Sequence, residues 1–307
     1  TEFEFATKKD LKDWAKIWVT EKGLPIVRSS VNLKKRVKPI TYFDLNQKDV
    51  FGSSSVWKMR TKFIDRHSNN DYIDSVLFEK AIYPDYLYYR NIIPPSLFIF
   101  PNYQDYGYGI FLLDEKSRNY ILANIQNEKD DFLRAMMYGS LWDSVREAEL
   151  NPKDYVELVI KNVAAEKDET IVSSMLGRAN TALNYYLDDK TPNELSPKLE
   201  EILINKMQTA ETLGQRITFY RSFLNVASSA NARQVLRNIL SSKLKIQGLV
   251  LKTKDKFDIV TKLFILGDKD AESLLAELVK TETSDDAKRY AYATRAGVGT
   301  AENKVKY

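Results

Sequence analysis

Histidine and cysteine, the side chains most often used in metal-assisted and nucleophilic catalysis, are almost absent from this chain. It has no cysteine and a single histidine, His67. Disulfides, thiolate nucleophiles and cysteine-ligated metals are therefore excluded. One imidazole cannot form an H-E-x-x-H helix, whose two histidines lie one turn apart and bind zinc. No Walker loop, nucleophile elbow or dinucleotide-binding glycine motif occurs either, so we predict no catalytic residue and no metal ligand in these residues.

The other candidates for chemistry have simpler structural interpretations. His67 lies in a polar stretch typical of a hairpin tip, and we predict that it is exposed to solvent. The glycines of Tyr106-Gly107-Tyr108-Gly109 indicate a kink that leads into a strand. Paired carboxylates lie where helices are predicted to begin or end, as expected of caps. These pairs are Asp130-Asp131, Asp188-Asp189 and Asp285-Asp286.

Arginines in the carboxyl-terminal half are the candidates for a binding role. Those that interrupt otherwise apolar helical stretches are Arg178, Arg216, Arg221, Arg233 and Arg237. A guanidinium group can bind a carboxylate through two parallel hydrogen bonds. Salt bridges on the helix surface are the simpler alternative. We predict Arg178, Arg216 and Arg221 as the side chains that face a substrate.

Two further clusters are interpreted as structural. The tyrosine-rich run consists of Tyr83, Tyr86, Tyr88, Tyr89 and Arg90. It is typical of an aromatic strand edge or interface, since no basic cluster that could hold nucleic acid surrounds it. The basic face of one strand consists of Lys58, Arg60 and Lys62. We interpret it as protection of an exposed sheet edge.

Composition indicates a globular chain with little overall charge imbalance. Hydrophobic residues make up 44% of the 307 residues, and 46 basic against 42 acidic residues give a formal net charge of +4. This is enough apolar material for two domains. No one-sided field indicates a nucleic-acid partner, and no apolar run reaches the roughly 20 residues that cross a bilayer. We therefore predict neither nucleic acid nor a membrane as a partner.

Hydrophobic periodicity predicts a helix and then a β-sandwich in the first third of the chain. Trp14 and Trp18 lie at helical spacing in residues 1–23, and Gly23 ends that pattern. In residues 24–113 the period is two, as where Trp57 and Met59 alternate with charged residues. Several short strands of this kind, separated by turn residues, predict a small antiparallel, immunoglobulin-like β-sandwich.

Residues 114–307 have a helical period throughout. Asn151-Pro152 is typical of a cap followed by a first-turn proline, and Thr191 to Glu194 has the form of a capping box. Ser196-Pro197 predicts that a new helix begins there. Roughly ten amphipathic helices with short connections usually stack as antiparallel pairs. We predict an all-α helical-repeat, HEAT/armadillo-like superhelical domain.

Four characteristic segments are spread over nearly the whole chain. The first is Asp10 to Trp18 with Gly23-Leu24-Pro25, the second runs from Phe100 through Gly109 to Asp114 and Ser117, the third is Leu141 to Arg146, and the fourth runs from Thr283 to Lys304. Together they resemble zinc aminopeptidases of the aminopeptidase N family. The second is similar to the family's passage from the last sandwich strand into the first carboxyl-terminal helix. The four segments occur in the family's order.

The resemblance implies a parent enzyme that removes amino-terminal residues from peptides by zinc catalysis. Residues 1–23 would be the terminal helix of its catalytic domain, 24–113 the sandwich, and 114–307 the helical domain, truncated at its end. The zinc ligands of the family would precede Thr1, so this chain would be non-catalytic and inactive alone. It would form the helical cap and chamber wall over the active site, with its own catalytic domain and peptide substrates as partners.

Two other functions compete with this one. A stand-alone solenoid adaptor that binds protein or peptide partners would present a similar concave surface. A hydrolase that uses tyrosine and carboxylates is the third hypothesis. A cytosolic and a periplasmic or secreted parent are equally consistent with the absence of cysteine.

Overall fold

The computed structural model describes residues 2–34, 40–78, 82–85 and 96–307. The chain forms two compact units, Thr1–Asn151 and Pro152–Tyr307. No helix among the described residues is both long and apolar enough to cross a membrane. Part of the tyrosine-rich run lies outside the described residues, namely Tyr86, Tyr88, Tyr89 and Arg90. Its interpretation as an aromatic edge stays a prediction.

In the described part of the first unit, seven strands form two sheets. They are β1 (Pro25–Lys34), β2 (Ile40–Asp49), β3 (Met59–Arg66), β4 (Asp71–Phe78), β5 (Ile82–Asp85), β6 (Phe98–Phe100) and β7 (Ile110–Leu112). One sheet has the order β5-β2-β1-β7, and the other has the order β4-β3-β6. All neighbours are antiparallel except β1 and β7, which are parallel. The prediction of a purely antiparallel sandwich is wrong at this pair, because β7 follows a strand of the other sheet and no hairpin fixes its direction.

Alternating side chains of both sheets enclose one apolar core. Its buried members are Val27, Leu45, Met59, Phe63, Val76, Phe78, Ile99 and Phe111. Because both sheets contribute, they pack face to face, which confirms the predicted β-domain. Burying these side chains stabilises the unit by about 1.5–3 kcal/mol for each large aliphatic or aromatic residue.

The basic face of β3 does not protect a sheet edge. β3 lies between β4 and β6, so the edge interpretation is wrong. Met59 and Phe63 point into the core, whereas Arg60 is exposed and Lys62 is half-buried. The alternation was predicted correctly, but strand order depends on pairings that are distant in sequence. Arg60 and Lys62 therefore lie on the outer, solvent-facing side of a central strand.

Trp18 attaches the amino-terminal helices to the sandwich. These helices are α1 (Glu2–Thr7), α2 (Lys12–Ala15) and the π-helical turn Lys16–Thr20. The Trp18 ring meets the Trp57 ring edge-on, with 4.9 Å between centroids, and the Tyr108 ring at 6.1 Å. Its Nε1 donates to the carbonyl of Lys58 at 3.3 Å. The predicted helical segment therefore has one aromatic anchor on the sandwich.

Asn102 and Gly109 shape the loop that precedes β7. The buried Asn102 amide accepts from the Gly107 N–H at 2.8 Å and donates to the Gly107 carbonyl at 3.1 Å. Gly109 has φ +151°, and a Cβ there would lie 2.5 Å from the Pro25 carbonyl oxygen. Only glycine fits so close to another backbone. The predicted glycine kink into a strand is confirmed.

Asp114 joins the sandwich to the first helix of the helical region. Its N–H donates to Ser29 Oγ at 3.0 Å, and its side chain caps α3 (Glu115–Asn124) by accepting from the Ser117 N–H at 3.0 Å. Ser117 Oγ accepts from the Ile99 N–H at 2.9 Å. One helix cap is therefore bonded to both sheets. The compact unit also includes α3 and α4 (Asp131–Arg146), so it extends past residue 113, and the predicted domain limits stay predictions.

Nine helices form the second unit, which is described throughout. They are α5 (Pro152–Asn162), α6 (Glu169–Thr181), α7 (Thr191–Thr209), α8 (Leu213–Val226), α9 (Ala230–Leu240), α10 (Thr253–Ile265), α11 (Ala271–Thr281), α12 (Asp285–Arg295) and α13 (Ala301–Lys306). The start at Pro152 and the order of a β-domain followed by a helical domain confirm the sequence analysis. Contacts join neighbours such as α7 with α8 and α10 with α12.

Pro197 lies inside α7 and starts no new helix. α7 runs unbroken from Thr191 to Thr209, and Thr191 forms no capping box. Instead, Asp188 Oδ1 accepts from the Thr191 N–H at 2.7 Å. The helix tolerates the missing N–H at Pro197 because the buried stripe of Leu195, Leu199 and Leu203 continues across it. Tertiary packing overrides the local signal here.

A buried carboxylate on α7 holds the start of α9. Glu200 is only 2% exposed and accepts from the Ser228 N–H at 2.7 Å, from Ser228 Oγ at 2.8 Å and from the Ser229 N–H at 3.1 Å. Ser229 Oγ also donates to Glu200 and itself caps α9 by accepting from the Ala232 N–H at 3.0 Å. Burial lowers the pKa of nearby Lys262, while the charge of Glu200 acts in the opposite direction. Glu200 therefore links two helices through the unpaired amides at a helix start.

We predict that Glu200→Gln lowers the free energy of unfolding by about 2–4 kcal/mol, because an amide cannot accept all of these donors in a buried site. Glu201→Gln is the matched control, since Glu201 is exposed on the same helix. It should change the value by less than about 0.5 kcal/mol. Urea denaturation of both variants measures the difference, and equal values would contradict the role given to Glu200.

Candidate functional site

Arg178 and Arg221 lie on helix surfaces without a partner in the part of the chain that the structure describes. Arg178 lies half-exposed in the last turns of α6, and Arg221 lies exposed on α8. Neither forms a hydrogen bond or an ion pair with the described residues. Their guanidinium groups are therefore available to bind a carboxylate. The structure does not test whether a substrate reaches them, so their predicted role stays a prediction.

Arg216, the third predicted substrate-facing residue, is bonded within the protein. Its Nε donates to the Gln247 carbonyl at 3.0 Å, and its NH1 donates to the carbonyls of Ala210 at 2.7 Å and Glu211 at 3.2 Å. These bonds tie α8 to the connection before it and to the loop after α9. Since all of the acceptors are neutral carbonyls, the positive charge of Arg216 is not cancelled by them.

Arg233 and Arg237 connect α9 to the turn between α10 and α11. Arg233 NH1 donates to the Leu266 carbonyl at 3.3 Å. Arg237 pairs with the buried Asp268 at 2.5 Å and with Asp270 at 2.9 Å. The Arg237 pairs agree with the simpler alternative for such arginines, namely salt bridges within the protein. The pair with Asp268 is partly desolvated, because Asp268 is buried.

His67 is buried, and the prediction of a solvent-exposed histidine is wrong. Its side chain is 2% exposed, and Nε2 lies 3.2 Å from Oδ2 of the fully buried Asp65. His67 continues the inward-facing series of Phe63 and Asp65 at a period of two, so the ring enters the sandwich before the hairpin turns. The backbone N–H of His67 donates to the Asn70 carbonyl at 3.0 Å, and this bond closes the hairpin turn.

The paired carboxylates lie at helix starts, as predicted. Asp130 accepts from the Phe132 and Leu133 N–H groups at the start of α4. Asp188 precedes α7, and backbone and side-chain hydrogen bonds from Thr191 lower its pKa. Asp285 and Asp286 lie in the first turn of α12. Each of these positions is one where a helix favours negative charge.

A catalytic zinc ion does not fit the described residues. No group of three histidine, cysteine, aspartate or glutamate side chains comes together among them, and the one imidazole is buried against Asp65. Structural and catalytic zinc sites need at least three protein ligands. Any zinc chemistry of a parent enzyme would therefore have to be supplied by other residues.

One property of the helical unit was missed in the sequence. Residues 212–254 contain no aspartate or glutamate, although the chain average would place about six there. Their basic residues are Arg216, Arg221, Arg233, Arg237, Lys243, Lys245, Lys252 and Lys254. The net charge of the whole chain hides this uneven distribution, whereas the net charge of successive sequence windows would have revealed it. α8, α9 and the loop after α9 therefore form a basic region of the second unit.

These features define a β-sandwich followed by a helical domain, with no zinc site in the described residues. Residues 98–307 match the family described as the ERAP1-like C-terminal domain. The chain belongs to this family, which confirms the resemblance to the carboxyl-terminal part of the aminopeptidase N enzymes. Aminopeptidase N from Streptomyces lividans is 25% identical over 206 residues, which cover 67% of this chain and 24% of that protein. The chain thus spans about a quarter of the length of the curated relative.

We predict that Arg216→Ala lowers the free energy of unfolding by about 1–3 kcal/mol, because three carbonyls lose their donor. Arg221→Ala on the same helix should change it by less than about 0.5 kcal/mol, since Arg221 bonds to none of the described residues. Thermal unfolding of both variants measures the contrast. A destabilised Arg221→Ala would mean that Arg221 has a structural role.

Proposed function

We propose that this chain is the non-catalytic carboxyl-terminal region of a zinc-dependent metalloaminopeptidase that removes amino-terminal residues from peptides. The family match over residues 98–307 carries the proposal. The similarity to an aminopeptidase N supports it, because the matched part lies in an enzyme of that name. When bound by the catalytic domain, zinc would supply an activated water as the nucleophile.

In this proposal the second unit is a helical-repeat superhelix that forms the cap and chamber wall over the active site. Nine consecutive helices with short connections support it, as does the packing of each helix against near neighbours in sequence. Stacked helix pairs form concave surfaces of this kind. Movement of such a cap would control the entry and exit of peptides.

The partners of the chain in this proposal are its own catalytic domain and peptide substrates. The amino-terminal helices support the first partner, because they expose large apolar side chains. Phe3 is 76% exposed, Phe5 is 89% exposed and Val19 is 72% exposed. Apolar residues clustered in this way mark interaction sites. About three quarters of the relative's length lies outside the alignment and would include the covering domain.

Arg178, Arg216 and Arg221 are the proposed contacts to the peptide. Arg178 and Arg221 are the stronger candidates, because their guanidinium groups have no partner among the described residues. Arg216 would act mainly through its charge, since its donors are occupied by carbonyls.

The alternative is a stand-alone solenoid adaptor that binds protein or peptide partners. The family match favours the peptidase, because it relates this helical domain to that of an enzyme and not to that of an adaptor.

The first test compares the 307-residue chain with the product of the complete reading frame. We expect hydrolysis of aminoacyl p-nitroanilides and about one bound zinc per molecule only in the longer protein. Removal of zinc by a chelator should abolish the activity, and added zinc should restore it. A longer protein with neither zinc nor activity would refute the proposal in favour of the adaptor.

The second test addresses the arginines in the longer, active protein. Arg178→Ala and Arg221→Ala should raise KM for a long peptide by about three- to tenfold, the effect of losing one charge-assisted contact. Activity on an aminoacyl p-nitroanilide should not change, because that substrate is too short to reach the helical domain. Lys198→Ala, at an exposed position of α7, is the control. Equal KM values for all three variants would exclude a role in peptide binding.

A further inference from the structure

We propose that the loop after α9 forms a docking site for an acidic segment of another protein that carries an aliphatic side chain. The site is a groove of about 430 Å³ lined by the end of α9, by Ser242 and residues 244–251 of the loop that follows it, and by Lys256, and we call it the loop groove. This inference goes beyond the proposed peptidase role and does not depend on it.

The walls of the loop groove are aliphatic. They consist of Ile239, Leu240, Leu244, Ile246, Leu249, Val250 and Leu251. Val250 is 81% exposed although it stands among apolar neighbours. Burial of a leucine-sized side chain here would remove apolar surface from water on both partners. A concave apolar site of this size fits one or two aliphatic side chains of a ligand.

Hydrogen bonds and packing hold the loop groove in one conformation. The Leu244 N–H donates to the Asn238 carbonyl at 2.9 Å, and the Leu249 N–H donates to the Ile246 carbonyl at 3.0 Å. Ile246 is buried and anchors the loop from below. Gly248 has φ +82°, and a Cβ there would lie 3.1 Å from Leu213 Cδ1. Because the loop groove is already ordered, little binding free energy is lost in ordering it when a ligand binds.

Arg216 fixes the loop groove from the side of α8. Its Nε donates to the Gln247 carbonyl at 3.0 Å. This bond brings a guanidinium charge to the loop without a neutralising carboxylate. The charge therefore adds to the positive field of the loop.

The loop groove has a basic side. Lys245 lines it, Lys243 and Lys252 are exposed residues beside it in sequence, and none of the three forms an ion pair with the described residues. Lys256, by contrast, pairs with Glu282 at 2.6 Å. No acidic residue occurs from 212 to 254, and the carboxylates recorded beside this segment, Asp255 and Glu282, bond to the Lys252 N–H and to Lys256 and not to the side chains of the three lysines. Charge complementarity therefore selects an acidic ligand.

The backbone offers further contacts to an extended ligand. Val250 and Leu251 donate no backbone hydrogen bond to the described residues. A peptide lying along this segment could accept from these N–H groups, as in strand addition to an exposed edge.

The chemistry favours a protein segment over the two other polyanionic partners. Single-stranded nucleic acid binds by stacking its bases on aromatic side chains, and the loop groove has none. An anionic membrane needs protruding apolar residues, whereas most apolar residues here line a concavity. An acidic peptide with an aliphatic side chain matches both the walls and the basic side.

The test measures binding of a fluorescein-labelled peptide amide, Glu-Glu-Asp-Leu-Leu-Glu-Asp-Glu, to the 307-residue chain by fluorescence anisotropy. Both peptide termini are blocked, so binding as an aminopeptidase substrate is excluded. We expect saturable binding that weakens when the salt concentration rises from about 50 to 300 mM. A peptide with lysines in place of the acidic residues, and one with serines in place of the leucines, should both bind at least about fivefold more weakly.

Variants locate the binding site. Lys245→Glu and Val250→Ser should each weaken binding at least about fivefold, and both residues are exposed, so melting temperatures should stay unchanged. Lys198→Glu and Val305→Ser repeat the same changes at exposed positions of α7 and α13 and should leave binding unaltered.

Four results would overturn the proposal. They are no saturable binding of the acidic peptide, equal binding of the lysine-substituted peptide, equal affinities of the loop and control variants, and preferential binding of phosphatidylglycerol vesicles or single-stranded DNA. Failure of this test leaves the peptidase proposal intact, since that proposal is judged by zinc content and hydrolysis in the longer protein.

Discussion

Each helix begins with backbone N–H groups that no residue of the helix itself can satisfy, and this constraint organises both units of the protein. Asp114 and Asp130 meet it with their own carboxylates, and Thr212, Ser229 and Ser284 meet it with hydroxyls. At three of these caps, those of Asp114, Thr212 and Ser229, the bonding extends into tertiary structure. Ser117 connects the Asp114 cap to strand β6, and Glu200 of α7 bonds to the Ser229 cap of α9. A local requirement of the backbone thereby becomes a long-range contact.

The choice between carboxylate and hydroxyl caps also sets the charge of the surface. α8 and α9 are capped by Thr212 and Ser229, and the carboxylates that assist them, Glu169 and Glu200, come from other helices. The stretch from 212 to 254 therefore satisfies its helix starts without any acidic residue of its own. At α3, α4 and α6, by contrast, an aspartate at the cap cancels part of the basic charge of the helix. A hydroxyl cap therefore adds no negative charge of its own to α8 or α9, and Arg237 of α9 is instead paired with Asp268 and Asp270 of the following turn.

Local signals in the sequence predicted local features, and the failures arise where distant parts of the chain meet. The alternation around Phe63 placed the core face of β3 correctly, and Pro152 gave a true helix start. His67 was misplaced because a polar stretch is typical of a loop tip, while the inward-facing period of two continues through it. Pro197 is typical of a helix start, yet the packed leucine stripe keeps α7 continuous. The parallel pairing of β1 with β7 depends on a crossover that no local pattern encodes. The same limit applies to the arginines. Residue type alone does not distinguish Arg216, which bonds to three carbonyls, from Arg221, which bonds to none of the described residues.

The geometry of α8 explains how one helix can serve two surfaces. Leu213 and Arg216 are three residues apart, which places them on neighbouring positions of one helix face. Both contact the loop after α9, Leu213 beside Gly248 and Arg216 at Gln247. Arg221 is five residues beyond Arg216, a rotation of about 140° around the helix axis. It therefore points away from the loop groove and cannot share a small ligand with it. A peptide bound at Arg221, as proposed above, and a protein segment held in the loop groove would consequently occupy different sides of α8, and Arg216 lies on the side of the loop groove.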